Sequence, residues 1–255
     1  MGCPAGAIID QGCGAAMIKT PDIARAVIRA AKRGAKSNNG GIPVSVKTRL
    51  GYNVDEVETW IPALLAEEPA ALTVHARTRK EMSKVPARWE RLARVRELRD
   101  ALAPHTLLIG NGDVLSRTDA YEKAVTSGVD GVMVGRAIFG NPWFFHPTRR
   151  LPTQLTALPT HGVDVDSLRI TGSTDNDQLL VGLEERFAVL LEHAQLFEEL
   201  LPHKSFAVMK KHFKAYVSGF PGAAPLRAEL MACDSSAELE PIMESFLEQA
   251  SARLV

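Results

Sequence analysis

Side chains able to do chemistry gather at four places in this sequence, each where an apolar run stops. Val44-Ser45-Val46 runs into Lys47-Thr48-Arg49, and Leu72-Thr73-Val74 into His75-Ala76-Arg77-Thr78-Arg79. Leu107-Leu108-Ile109 runs into Gly110-Asn111-Gly112-Asp113, and Gly131-Val132-Met133-Val134 into Gly135-Arg136. A lysine inside an otherwise apolar strand is costly unless it meets an anion. Two successive strand ends bearing glycine let backbone amides approach a ligand closely, and Arg136 adds a fixed positive charge, a combination that suits a phosphate. Cys3, in the loop Met1-Gly2-Cys3-Pro4, is the further candidate, because a thiol ordinarily titrates not far above neutrality and can act as a general acid. Each of these also has a plain reading. His75 alone suits a satisfied structural histidine, Asn111 and Asp113 suit a turn, and Lys47 can lay its stem along apolar surface.

The elements that must position these groups follow from pattern. Residues 107–114 open as a strand buried on both faces and close on glycine and polar residues. Residues 117–127 read as a helix with Gly128 as its stop. Strand, glycine-rich turn, helix, strand and glycine-rich turn is the grammar of a parallel α/β sheet, in which ligands sit at the carboxyl ends of the strands. Upstream, Thr20-Pro21 reads as a helix start, with Ile23, Ala26, Val27 and Ala30 as the apolar stripe and Arg25, Arg29, Lys32 and Arg33 facing solvent. Strands are expected over 43–49 and 69–74, with helices over 57–66 and 89–102.

Four strand ends pointing polar groups to one side look like one side of a (β/α)8 TIM barrel, and four strands are half of one. The expected fold class is therefore α/β, a partial barrel over residues 1–146. A linker or insertion over 147–178 and a small all-α helical domain over 179–255 follow it. The chain reads as amino-terminally truncated. An unclosed sheet of this kind is expected to expose two edges and an apolar face, favouring poor solubility or pairing with another half. Trp143, Phe144 and Phe145 are expected in the core, Cys13 as a packing residue, and the tail as helical from Leu179 onward, with a second helix over 206–216.

Composition bounds the rest. Thirty basic and thirty acidic residues give a formal net charge of zero, so any polyanion site must come from local clustering. Three cysteines without Cys-x-x-Cys spacing argue against a disulfide framework or a metal site, and a reducing, cytoplasmic setting is the default. No run is apolar enough to cross a membrane, and the first residues form no secretory signal.

Taken in order, these motifs resemble one family, the tRNA-dihydrouridine synthases. Met1-Gly2-Cys3-Pro4 is similar to the family's Asn-Met-Gly-Cys-Pro loop without its asparagine, and Val44 to Arg49 to its Pro-Val-Thr-Val-Lys-Ile-Arg strand. Leu72 to Arg79 resembles its Thr-Val-His-Gly-Arg-Thr, with Ala76 in place of glycine. Gly110-Asn111-Gly112-Asp113, Gly131 to Arg136 and Gly140-Asn141-Pro142-Trp143 are similar to its last two strand ends and following helix, and Met209-Lys210-Lys211-His212 to its Arg-Lys-His helix. Between His75 and Trp89 the sequence departs, with Ser83, Val85 and Arg88 where the family usually carries tyrosine, glycine and aspartate.

The resemblance implies a TIM barrel holding FMN, reloaded by NADPH, and a helical domain that binds tRNA. It implies that Cys3 protonates the uracil ring and that Lys47, His75, Asn111, Gly112, Asp113, Gly135 and Arg136 hold FMN, the last two at its phosphate. Arg49 and Arg77 are implied to contact the uridine, which must leave its stack to react. Lys204, Lys210, Lys211, His212 and Lys214 form a basic face for the tRNA backbone. Two alternatives stand beside this reading: another FMN barrel acting on a small molecule, and a non-catalytic RNA-binding remnant.

Overall fold

The computed structural model describes residues 1–36, 41–146, 149–150 and 179–252. The described chain divides into two compact units, Met1–Arg136 and Ala137–Val255.

The first unit is built on a four-stranded parallel sheet, β1 (Ser45–Arg49), β2 (Ala71–His75), β3 (Leu107–Asn111) and β4 (Gly131–Met133), hydrogen-bonded in sequence order. Before it lie a short α1 (Gly6–Ile9), a 3-10 helix over Gly14–Lys19 and α2 (Pro21–Lys36). The strands are joined through α3 (Val57–Leu65), α4 (Glu90–Leu102) and α5 (Arg117–Ser127), each packed on the next. Antiparallel strands can turn back in two residues, whereas parallel neighbours need such crossovers.

Local chemistry fixes the element ends. Ser116 caps α5 by accepting from the Asp119 amide at 3.0 Å, and Gly128 ends it in the left-handed conformation at φ 69°. Inside the sheet, the Trp60 indole of α3 donates to the Thr48 hydroxyl of β1 at 2.8 Å. Asp130 accepts from the Leu108 amide at 2.7 Å and from Arg99 at 2.5 Å, tying β3, β4 and α4 at the amino ends of the strands.

Helices α3 and α4 pack on one face of this sheet. Val46, Leu72, Val74 and Leu108 are fully or nearly fully buried there, with Trp60, Ile61, Leu64, Leu92 and Val95 packed against them. The expectation that residues 107–114 form a strand buried on both faces is corrected: Leu108 packs with Leu92 and Val95 of α4, while Leu107, one residue earlier and so on the opposite face, is 54% exposed.

The α2 stripe is corrected as well. Ala24 and Ile28 are the buried pair, while Ile23 and Val27 are exposed. The buried carboxylate of Glu67 decides the rotation. It draws Arg25 to 2.7 Å and Arg29 to 3.6 Å, and Lys32 reaches the Glu67 and Glu68 carbonyls at 2.9 and 3.0 Å. A buried carboxylate without a cation would cost more than two exposed aliphatic side chains.

The second unit has its own core. α6 (Leu183–Leu200), α7 (Lys210–Tyr216), α8 (Ala223–Leu230) and α9 (Ser236–Ala252) enclose Phe187, Leu190, Phe206, Phe213, Leu226 and Leu239. The carbonyls at the end of α7 find donors in place of water. Buried Arg186 donates to the Tyr216 and Ser218 carbonyls, and Arg227 to that of Val217 at 2.7 Å.

Three tail expectations change. Leu179–Leu180 is a strand (β6) paired in parallel with Arg149–Arg150 (β5), so the helix begins at Leu183. The segment expected as one helix over 206–216 is a 3-10 turn, Phe206–Val208, followed by α7. Phe145 is 65% exposed while Trp143 and Phe144 are buried, since the 3-10 turn Pro142–Phe145 leaves its last side chain outside. Apart from β5, the linker expected over 147–178 lies outside the described residues.

Candidate active site

Parallel register assembles the candidate residues. Arg49 pairs with His75, His75 with Asn111 and Asn111 with Met133, while two residues earlier Lys47 pairs with Thr73 and Thr73 with Ile109. Successive residues alternate faces. Thr48 points at α3, so Lys47 and Arg49 take the other side, together with His75 and Asn111. The Lys47 ammonium donates to Asn111 Oδ1 at 3.0 Å, and Asn111 Nδ2 donates to the Met133 carbonyl at 2.8 Å. One asparagine thereby links β1, β3 and β4. Burial, and then the neighbouring charge of Arg49, lowers the Lys47 pKa from its ordinary value.

A second chain of contacts runs through the loops that follow β2 and β3. Arg77 is buried; its Nε donates to the Val85 carbonyl at 2.6 Å and a terminal nitrogen lies 3.1 Å from His75 Nε2. Its other terminal nitrogen holds Asp113, whose second oxygen accepts from Arg136 at 3.1 Å. A guanidinium offers only donors, so His75 Nε2 is the acceptor and its proton sits on Nδ1. Burial, followed by the charges of Arg49, Lys47 and Arg77, pushes the His75 pKa down to about 3, which agrees with a neutral ring. Burial alone would raise the Asp113 pKa. Hydrogen bonds from Arg77 and the Ala87 amide outweigh it and hold the carboxyl below its usual range.

The turn carrying Asp113 depends on its glycines. Gly112 sits at φ 127°, where a Cβ would fall 2.8 Å from Ala87 and 3.1 Å from the His75 ring. At Gly110 a Cβ would lie 2.4 Å from the Trp89 ring, whose indole donates to the Gly112 carbonyl at 2.8 Å. At Gly135, by contrast, a Cβ would meet nothing within 4 Å, so the backbone there is open to a ligand.

Cys3 stands beside this set. The Met1 amine donates to the Lys47 carbonyl at 2.9 Å, and Arg49 Nε donates to the Gly2 carbonyl at 2.9 Å. Arg49 also reaches the carbonyls of Thr78 at 3.1 Å and Met82 at 3.3 Å. Cys3 is exposed. Its carbonyl accepts from the Ala15 amide at 3.0 Å, and Gly14, at φ 60°, passes so close that a Cβ would lie 2.7 Å from that carbonyl. Cys13 is exposed, not packed, because the loop turns it outward next to the Gln11 carbonyl.

The structure therefore brings Cys3, Lys47, Arg49, His75, Arg77, Asn111, Gly112, Asp113 and Arg136 into one connected neighbourhood, with Gly135 next to Arg136 in the chain. Residues 82–89, read from sequence only as a departure, supply three backbone atoms to it: the Met82 and Val85 carbonyls and the Ala87 amide. Backbone donors and acceptors leave no signature in residue type, so only Trp89 could have marked this segment.

In the helical unit Lys204, Lys211 and Lys214 are exposed. Lys210 is committed to Asp234 at 3.1 Å, and His212 packs on His193 and Phe139, with ring centres 4.9 and 6.0 Å apart. Among the described residues no cluster of three or more metal-ligating side chains occurs, and no helix is long and apolar enough to cross a membrane.

With that geometry in hand, comparison with known proteins decides the family. The family model for dihydrouridine synthase matches residues 1–252. The chain belongs to the dihydrouridine synthase family. A dihydrouridine synthase is a TIM-barrel protein, and the consecutive parallel order of β1 to β4 is that of neighbouring barrel strands. Among relatives, the chain is 38% identical over 252 residues to a "Probable tRNA-dihydrouridine synthase" of Staphylococcus aureus (strain Mu50 / ATCC 700699), covering 98% of this chain and 66% of the relative. It is 37% identical over 256 residues to one of Staphylococcus epidermidis (strain ATCC 35984), covering 99% of this chain and 68% of that protein. It is 37% identical over 247 residues to "Probable tRNA-dihydrouridine synthase 2" of Bacillus subtilis (strain 168), covering 96% and 66%. The chain thus spans about two thirds of the length of the curated relatives it matches.

Proposed function

We propose that this chain carries the reductive site of an FMN-dependent tRNA-dihydrouridine synthase that acts on a uridine of tRNA in the cytoplasm. The observation that carries the proposal is the meeting of Lys47, Arg49, His75 and Asn111 on one open sheet face beside the Gly2-Cys3 loop.

The donor set fits a flavin mononucleotide. Arg136 and the uncrowded Gly135 backbone suit its phosphate, and Asp113 fixes Arg136 in place. Lys47 and the Nδ1–H of neutral His75 are donors suited to the polar edge of the ring system. When bound, FMN supplies the hydride for carbon 6 of the uracil, and NADPH is the reductant that recharges it.

The residues of the chain do the rest. Arg49, held on three carbonyls, keeps a nitrogen without a protein partner among the described residues and can orient the uracil. Arg77 has all its nitrogens committed to Val85, His75 and Asp113, which makes it a positioning residue for the cofactor side of the site. Cys3 donates its thiol proton to carbon 5 of the uracil. Lys204, Lys211 and Lys214 of the helical unit offer charge to the tRNA backbone.

The test is dihydrouridine formation by the full chain on tRNA lacking the modification. Cys3→Ala should slow product formation by about 10²-fold or more while leaving flavin absorbance and NADPH oxidation in place. Product formation indifferent to Cys3 would remove the thiol from the mechanism.

A further inference from the structure

Outside the set just described, Lys19 and Arg79 form a pair of cations with no anion among the described residues. Lys19, at the end of the 3-10 helix Gly14–Lys19, places its ammonium 4.0 Å from the centre of the Tyr52 ring, and the Arg79 guanidinium lies 5.2 Å from it. Tyr52 follows β1 and Arg79 follows β2. Their loops are fastened together by the Arg79 amide on the Gly51 carbonyl and the Lys80 amide on that of Tyr52, both at 2.9 Å. The nearby carboxylates are already engaged. Asp55 takes Arg88 and Arg91, Glu81 takes Arg88 and the Thr78 amide, and Glu56 takes the Tyr52 amide at 2.6 Å. Among the described residues neither Lys19 nor Arg79 has a carboxylate within ion-pair distance, and Arg79 Nε is buried with no hydrogen-bond partner.

Most neighbouring arginines are matched to acids. Arg25, Arg77, Arg88, Arg91, Arg94 and Arg99 each hold a carboxylate. Two cations converging on one nearly buried ring, with no acid between them, form a fixed positive site. Its place is set by covalent continuity. The Thr78 carbonyl, next to Arg79, accepts from Arg49, and the helix that ends at Lys19 begins at Gly14, which rests on Cys3. A nucleotide presented to Cys3 and Arg49 remains joined to phosphates, and these must leave the site across its rim.

We propose that Lys19 and Arg79, seated on Tyr52, bind an RNA backbone phosphate next to the reacting uridine. The inference rests on the reading of the chain as a tRNA-modifying enzyme. It makes the sheet unit, in addition to the helical unit, a contributor to RNA affinity.

The experiment is the salt dependence of binding between the full chain and a fluorescein-labelled, unmodified tRNA transcript. Lys19→Gln and Arg79→Gln should each weaken binding about five-fold at low salt and reduce the slope of log affinity against log salt by about 0.7 to 0.9. Lys19→Arg should restore the slope. Flavin content and the KM for NADPH should stay at wild-type values. Unchanged slopes, or a rise in the NADPH KM in their place, overturn the proposal, as does a variant that lowers the urea midpoint without altering the slope. Dihydrouridine formation is scored separately with Cys3→Ala. An RNA-binding protein that makes no dihydrouridine would refute the enzyme reading while leaving the salt result legible.

Discussion

His75 is defined by what surrounds it. Three cations crowd a half-buried ring, and one of them, Arg77, donates to Nε2. The consequence is a linkage with a definite sign. An unfolded chain takes up a proton at this residue as pH falls through the ordinary value of 6.5, whereas the native protein does so only near 3. Native stability therefore declines as pH drops through this window, by at most about 1.4 kcal/mol per pH unit and by less for a ring partly screened by solvent. Urea unfolding at about pH 6.5 and 4.5 should show wild type losing about 1–2 kcal/mol more than His75→Gln. His193 and His212 shift in the same direction through burial, so the difference between the two proteins, and not the wild-type slope, is the measurement. Arg77→Ala removes three hydrogen bonds from a buried position and should cost about 2–3 kcal/mol in the same assay. It should also raise the His75 pKa, visible by NMR titration, because one of the opposing charges is gone.

At the scale of elements, the contact of α4 with β3 sets the geometry of the Gly112-Asp113 turn. Gly110 is the flat spot on the strand that admits the Trp89 ring, and Trp89 in turn holds the Gly112 carbonyl. Gly110→Ala drives a methyl into the ring and should destabilise the first unit by about 1–3 kcal/mol, read by chemical denaturation. Trp89→Phe keeps most of the packing and loses one hydrogen bond. A stability loss of about 1 kcal/mol with a weakened flavin affinity is expected, the latter measured by fluorescence titration with FMN. A full loss of stability with unchanged flavin affinity would detach the turn from the proposed flavin site.

For the molecule as a whole, the buried clusters of the two units share no residue. Phe213 is fully buried among Phe206, Met209 and Leu230 in the helical unit, and Phe213→Ala should cost about 3–5 kcal/mol there. Hydrogen exchange should then accelerate in the α6 to α9 amides. The β1 to β4 amides serve as the internal comparison, expected to keep their protection because none of their packing partners is altered. Zero net charge also acts at this scale. Affinity for a polyanion must come from places where cations lack acids, such as Lys19 and Arg79 on one unit and Lys211 and Lys214 on the other.

The order of the sheet strands and their crossover helices, the four polar strand ends and the helix over 117–127 with its Gly128 stop were legible in the sequence because they are local. Apolar runs, caps and glycine stops act within a few residues. The same locality misled the reading of α2, where a stripe of Ile23 and Val27 looked like the core but a buried Glu67 some forty positions away turned the helix. It also hid the backbone atoms of residues 82–89 that grip Arg49, Arg77 and Asp113. Residue types and spacing determined which side chains stand at the strand ends. Register, burial and the pairing of charges across distant segments decided what each is free to do: Arg77 is spent on its neighbours, Arg49 keeps one nitrogen without a partner among the described residues, and His75 stays neutral because β1 brings Lys47 and Arg49 to it.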